Sequence, residues 1–240
     1  MRLLLLLPAI LLSACSTPGP APVTAPKPTG SAIRLTGSPV WSSMRDVTKA
    51  VGSKGTVSGN VLDLKGNILD GGGLKKPSNS QSEDAVPLKI TIPGLTIRNG
   101  TIRSIPGGIV TTAKDLTVRK LVFLDIGEDA LSTTGERASG LTVDQCRFYN
   151  DPAGDKSLQC NQAQGVTIRD SHFYSGITGV RLNKRSYNQK AAVLITGSTF
   201  KGCETGINLA GATTLTVTDC KFDVQKKWVI GEGGGKVTEK

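Results

Sequence analysis

Aromatic residues are scarce in this sequence, at 4% of 240 residues. It has one histidine, five cysteines and no Cys-x-x-Cys pair. Each shortage narrows the reading. The absence of paired cysteines argues against a zinc site. No aromatic residues are interleaved among the cations and there is no basic helix pattern, which argues against nucleic acid as a partner. The lone His172 falls at an outward or bend position with no acid placed beside it, so it reads as a surface residue rather than a catalyst. The apolar run from Leu3 to Leu12 is too short to span a bilayer comfortably, which takes about 20 residues.

Glycine, by contrast, is abundant at 29 residues, and 38% of the chain is hydrophobic. That is enough for one well-buried domain, and the glycine content favours a β protein with many turns. Lys plus Arg outnumber Asp plus Glu by 29 to 19, a net charge of +10. Such a surface attracts polyanions. In an exported chain these are acidic polysaccharides or lipid headgroups before they are nucleic acid.

Export is expected from the N-terminus. Met1-Arg2 is a basic start to the short apolar run, as in a signal peptide. Leu12-Ser13-Ala14-Cys15 closes the run and resembles the bacterial lipoprotein box. By that resemblance residues 1–14 are a signal peptide and Cys15 is the lipidated first residue of the mature chain. Each buried CH₂ of an acyl chain adds about 0.8 kcal/mol, so several chains anchor firmly to a membrane. Ser16 is similar to the residue that sorts lipoproteins to the outer membrane. Five prolines between Pro18 and Pro28 make 15–31 an extended tether. The folded domain is expected over 32–240, with its first strand near Ile33 or Leu35, as a monomer.

Internal periodicity decides the fold class. An eight-residue segment recurs six times, starting at Leu95, Leu116, Leu141, Val166, Val193 and Leu215. Its first, third, sixth and eighth positions are apolar or small. The first three positions read as a strand, the loss of alternation after them as a tight bend, and the last pair as a second strand. The starts lie about 21 to 27 residues apart. That spacing is one coil of an all-β, single-stranded right-handed parallel β-helix, a solenoid. A second ladder follows each start by 14 to 17 residues: Ile109, Leu131, Leu158, Val180, Ile207 and Val229. A small residue usually precedes it. Ser43 to Val51 reads as a helix capping the open end, Lys75 to Asp84 as a polar loop, and Gly231 to Lys240 as a frayed tail. Cys146 and Cys220 occupy inward positions and are expected as buried thiols rather than a disulfide.

Equivalent positions of successive coils stack about 4.8 Å apart, so sequence columns become spatial columns. Two residues before the second ladder stand Gly107, Asp129, Lys156, Thr178, Thr205 and Lys227. Just after it stand Val110, Ser132, Gln159, Arg181, Asn208 and Ile230. Glu128, Asp129, Asp155, Lys156 and Arg181 thereby gather on one side of three coils. Stacked carboxylates call for a cation, and oxygen donors of this kind suit Ca²⁺. Lys and Arg beside them suit a substrate carboxylate. Together they fit β-elimination from a uronide. Lys156 is the better base, because a lysine near other cations loses its proton more readily than arginine does. Arg181 would neutralise the enolate-like transition state.

Phe123-Leu124-Asp125-Ile126-Gly127-Glu128-Asp129-Ala130, with the later Asp155-Lys156-Ser157-Leu158-Gln159-Cys160-Asn161, resembles the pectate lyases of polysaccharide lyase family 3. That family carries Trp-Glu-Asp-Val-x-Glu-Asp-Ala and then Asp-Lys-x-x-Gln-His-Asn, with an Arg 25 residues after the Lys. Arg181 follows Lys156 by 25 residues. Asp70-Gly71-Gly72 and Glu83 before Pro87 are similar to upstream family features. The resemblance implies Ca²⁺-assisted cleavage of polygalacturonate. It implies Glu128 and Asp129 as calcium ligands, Lys156 as base, Arg181 as catalytic arginine, and Glu83 and Gln159 in substrate binding. Two positions depart from the family: Gly107 stands where a further calcium-binding aspartate is usual, and Cys160 stands for its histidine. The same residues are compatible with a β-helix that binds acidic polysaccharide without cleaving it, or with a lyase or epimerase on another uronide such as alginate.

Overall fold

The structure is a computed structural model that describes residues 23–36, 39–72, 86–126, 129–135, 138–149, 156–161, 164–174, 176–183, 191–210, 213–231 and 235–240. Cys15, Glu83, Glu128, Asp155 and the loop expected at 75–84 lie outside the described residues.

The repeat folds as the columns require. Its third positions stack as Ile97, Val118, Val143, Ile168, Ile195 and Val217, each paired in parallel with the next. Its eighth positions stack as Ile102, Phe123, Phe148, Phe173, Phe200 and Phe222. Both arms belong to one 15-stranded sheet, because Thr96–Arg103 and Thr117–Leu124 run unbroken through the bend. An eight-stranded parallel sheet forms the opposite wall. The core lies between these walls.

The bend has a single cause. The fifth residue of every repeat is left-handed: Asn99, Lys120, Gln145, Asp170, Gly197 and Asp219 have φ between 48° and 58°. One left-handed residue turns the strand and brings two consecutive inward positions, the sixth and the eighth, back onto the core side. Only one of the six is glycine; Asn and Asp tolerate this region best, and Lys120 and Gln145 adopt it because the pairing on both sides fixes it.

Five phenylalanines then form a continuous inner stack. Ring centroids are 4.4 Å apart from Phe123 to Phe148 and 4.9 Å apart at each later step, with planes within 7° of parallel. This stack explains the small residues before the second ladder. A Cβ on Gly179 would stand 2.8 Å from the Phe200 ring, and one on Gly206 would stand 3.0 Å from that of Phe222. Any side chain at either glycine would press on a phenylalanine ring.

At the N-terminal end the helix Met44–Val51 lies across the open coil. Ser43 accepts from the Asp46 N–H while the Asp46 carboxylate accepts from the Ser43 backbone, a reciprocal cap. Val47 and Val51 are buried beneath it with Trp41. The first strand is Ala32–Arg34. Cys146, Cys160 and Cys203 are buried thiols and Cys220 is a half-buried one. Burial pushes the first three up to about 12, so they are inert as nucleophiles.

Two expectations are corrected at the C-terminal end. Gly231 to Lys240 is not a frayed tail: Lys236–Glu239 is a strand paired with Thr213–Thr218, with Val237 opposite Leu215 and packed against the core. The last rung of the second ladder is Trp228 rather than Val229, since Trp228 pairs with Ile207 and Lys226 with Thr205. The turn after Phe222 is one residue shorter than the two before it, and the Trp228 ring meets Phe222 edge-on at 6.3 Å, which closes the stack.

Candidate functional site

The eight-stranded sheet positions the predicted residues. Leu131, Leu158 and Val180 are inward and in register, so the residues just after them, Ser132, Gln159, Arg181 and Asn208, form one outward row across four strands. Two positions further on, Asn161 stands beside Asn183. Arg181 Nε donates to Asn183 Oδ1 at 3.1 Å, and Asn183 Nδ2 donates to Asn161 Oδ1 at 3.0 Å. The outward face is thus a connected strip of guanidinium and amides. Asn161, Asn183 and Asn208 carry it as much as Gln159 and Arg181 do. Asn208 was in the predicted row without a role. Asn161 and Asn183 lie in the column three places after the inward ladder residue, where an outward polar repeat could have revealed them.

Lys156 and Asp129 come together at the start of the same strands. Lys156 Nζ lies 3.5 Å from Asp129 Oδ1, and the two side chains are 8% and 17% exposed. Lys156 pairs in register with Thr178, while Arg181 pairs with Gln159. Lys156 and Arg181 therefore sit three positions apart along neighbouring strands. That is roughly 10 Å along the strand at about 3.3 Å per residue. Gly108 makes the close stacking of the Asp129 rung possible. It has φ +62°, and a Cβ there would meet the Asp129 carbonyl oxygen at 1.8 Å.

The donor set is thin for calcium. Asp129 has one carboxylate oxygen turned to the Lys156 ammonium, and the rung before it offers Gly107, which has no side-chain oxygen. Among the described residues no three His, Cys, Asp or Glu converge. These residues alone fall short of the six to eight oxygens calcium takes. Cys160, where a histidine was expected, is inward and fully buried, so it offers nothing to a ligand on the outer face.

A family model described as a right-handed β-helix region matches residues 90–238. The chain belongs to the right-handed β-helix family. The match covers every copy of the repeat and the whole strip from Asp129 to Asn208. The β-helix fold is shared by pectate lyases and many other proteins, some of which are not enzymes.

Proposed function

We propose that this β-helix protein engages an acidic polysaccharide of the polygalacturonate type along the outward face of its eight-stranded sheet. The observation that carries the proposal is the strip Gln159–Arg181–Asn208 with Asn161 and Asn183 beside it. A flat face of amides matches sugar hydroxyls, and a guanidinium matches a uronate carboxylate in bidentate fashion. The net charge of +10 draws such a polyanion in. In this reading Cys15 would carry the lipid that its resemblance to a lipoprotein box implies, and hold the protein at the outer membrane or cell surface.

Cleavage by β-elimination is the second reading, favoured by the presence of both Lys156 and Arg181 in one neighbourhood. A base takes the C5 proton, the C4–O bond breaks, a C4=C5 double bond forms, and the departing oxygen gains a proton. Arg181 would hold the carboxylate whose charge grows as the C5 proton leaves. Lys156 Nζ is turned to Asp129 at 3.5 Å on a side chain only 8% exposed, which leaves a base there little open to a substrate on the outward strip. For that reason binding is put before cleavage. Calcium belongs to the second reading, with Asp129 and Glu128 as its proposed ligands.

The test is ultraviolet absorbance of unsaturated product from polygalacturonate and from alginate, with calcium and with chelator, run beside calorimetric binding of both polymers. Binding without product supports retention. Product that disappears in Lys156→Ala and Arg181→Ala establishes the lyase. Neither binding nor product from either polymer overturns the proposal, as does full binding by Arg181→Ala.

A further inference from the structure

The outside of the bend carries a second feature. A cleft of about 450 Å³ follows the left-handed corner over three coils. Lys120, Gln145 and Asp170, the fifth residues of their repeats, line one side. Val122, Arg147 and His172, the seventh residues, line the other and stand in register. The cleft is on the 15-stranded sheet, away from the Arg181 strip on the eight-stranded one.

Its chemistry is that of a sugar site. Arg147 and Lys120 supply two cations, Gln145 an amide and Asp170 a carboxylate that can accept from hydroxyls. Tyr149 and Tyr174, two residues further along the same strands, stack at 4.7 Å, and His172 stacks on Tyr174 at 5.9 Å. These rings lie beside the cleft on the strands that carry Arg147 and His172, where an aromatic surface can cover the apolar face of a pyranose. The Nδ1 atom of His172 is enclosed and has no hydrogen-bond partner.

We infer that the bend cleft is a second carbohydrate-binding site, taking an acidic oligosaccharide that lies along the solenoid axis between the fifth and seventh columns. Rungs about 4.8 Å apart are close to the length of one pyranose, so each coil can address one sugar. Arg147 pairs the carboxylate, Gln145 and Asp170 take hydroxyls, and His172 and Tyr174 form the far wall. The choice of uronide as ligand rests on the function proposed above; the cleft does not.

A proton is coupled to occupancy. Burial lowers the His172 pKa from 6.5, Arg147 on the preceding rung pushes the same way, and Asp170 opposes. Lys120 lines the cleft, Tyr174 shares the strand, and the following rung presents uncharged Thr199. A carboxylate bound between Arg147 and His172 raises that pKa, so binding tightens as pH falls through it.

His172 is the sole histidine, so its ring protons are unambiguous in a proton NMR spectrum. Tri-galacturonate is titrated into the folded full chain, and into Arg147→Ala, Lys120→Ala and Arg181→Ala. The expected result is a saturable shift of the His172 signals and a raised His172 pKa in the wild type and in Arg181→Ala. Affinity read at His172 should weaken about tenfold or more in Arg147→Ala, the loss of one charged hydrogen bond. Lys120→Ala should weaken it less. His172 signals unmoved by tri-galacturonate or by an alginate trimer overturn the site, whether or not calorimetry shows binding at the Arg181 face. Unchanged affinity in folded Arg147→Ala and Lys120→Ala overturns it too. Loss of the shift in Arg181→Ala overturns its independence and assigns the response to the outward strip.

Discussion

Asp144 shows how single residues hold the coils in register. It is buried, and it stands between Arg119 on the coil before and Arg169 on the coil after. Its carboxylate accepts from Arg119 Nε at 2.9 Å and from Arg169 at 3.0 and 3.1 Å. Both guanidiniums are half exposed, so losing Asp144 leaves them hydrated rather than stranded. Asp144→Ala should therefore cost about 1.5–3 kcal/mol, the range for hydrogen bonds to a charged group, read as a lowered urea midpoint. Asp219 gives a backbone counterpart at φ 53° in the last bend. Asp219→Val should cost about 1–2 kcal/mol, since a β-branched residue is strained in the left-handed region, while Asp219→Gly should be near neutral by the same measurement. Residue identity made these columns legible in the sequence. It did not make Lys156 legible in the same way. Its number and spacing mark it as a base, yet only the folded chain puts its ammonium against Asp129.

At the scale of elements, the repeat was readable because inward positions tolerate few residue types. Ile and Val fill the third column and Phe, after Ile102, fills the eighth, since each residue is stacked on its own counterparts. The bend cleft was not readable. Its columns hold Lys, Gln and Asp on one side and Val, Arg and His on the other, with no type repeated, and only the left-handed corner brings them face to face. The C-terminal errors have a similar origin: a turn one residue shorter and a terminal strand whose polar alternation looked like a tail. The phenylalanine stack makes the element-scale prediction. Phe148 has a ring on each side, whereas Phe222 has Phe200 on one face and the edge of Trp228 beyond. Phe148→Ala should cost about 3–5 kcal/mol, the range for emptying a buried aromatic site. Phe222→Ala, half-buried at the end, should cost less than half of that. Because each coil touches only its neighbours, hydrogen exchange in Phe222→Ala should speed up mainly in the last coil, while Phe148→Ala should loosen coils on both sides.

At the scale of the whole molecule, the carboxylates held at low pKa among the described residues are concentrated at one end. Asp46, Asp63 and Asp70 all belong to the N-terminal coil and its cap. Asp46 is lowered by the Ser42 hydroxyl and backbone N–H and by the same groups of Ser43. Burial raises Asp63, but the Lys65 N–H, Asn99 and Arg98 outweigh it. Burial likewise raises Asp70, and the Gly72 N–H, Arg103 and Arg34 more than reverse it. A carboxylate whose folded pKa lies below its unfolded value of 3.8 stabilises the fold fully above that value. The contribution is lost as pH falls through the lower folded value, because the unfolded chain then binds protons the folded chain refuses. Acid should therefore open the solenoid from its N-terminal end. Hydrogen exchange measured between pH 5 and pH 3 should show protection falling first in Val61–Asp63, Ile68–Asp70 and the helix Met44–Val51, with Thr199–Lys201 and Thr205–Ala210 holding longer. Asp63→Asn and Asp70→Asn should lower stability at pH 7 and flatten its dependence on acid. If the C-terminal coils lose protection first, or the two asparagine variants keep the full acid dependence, these ion pairs do not control where the solenoid opens.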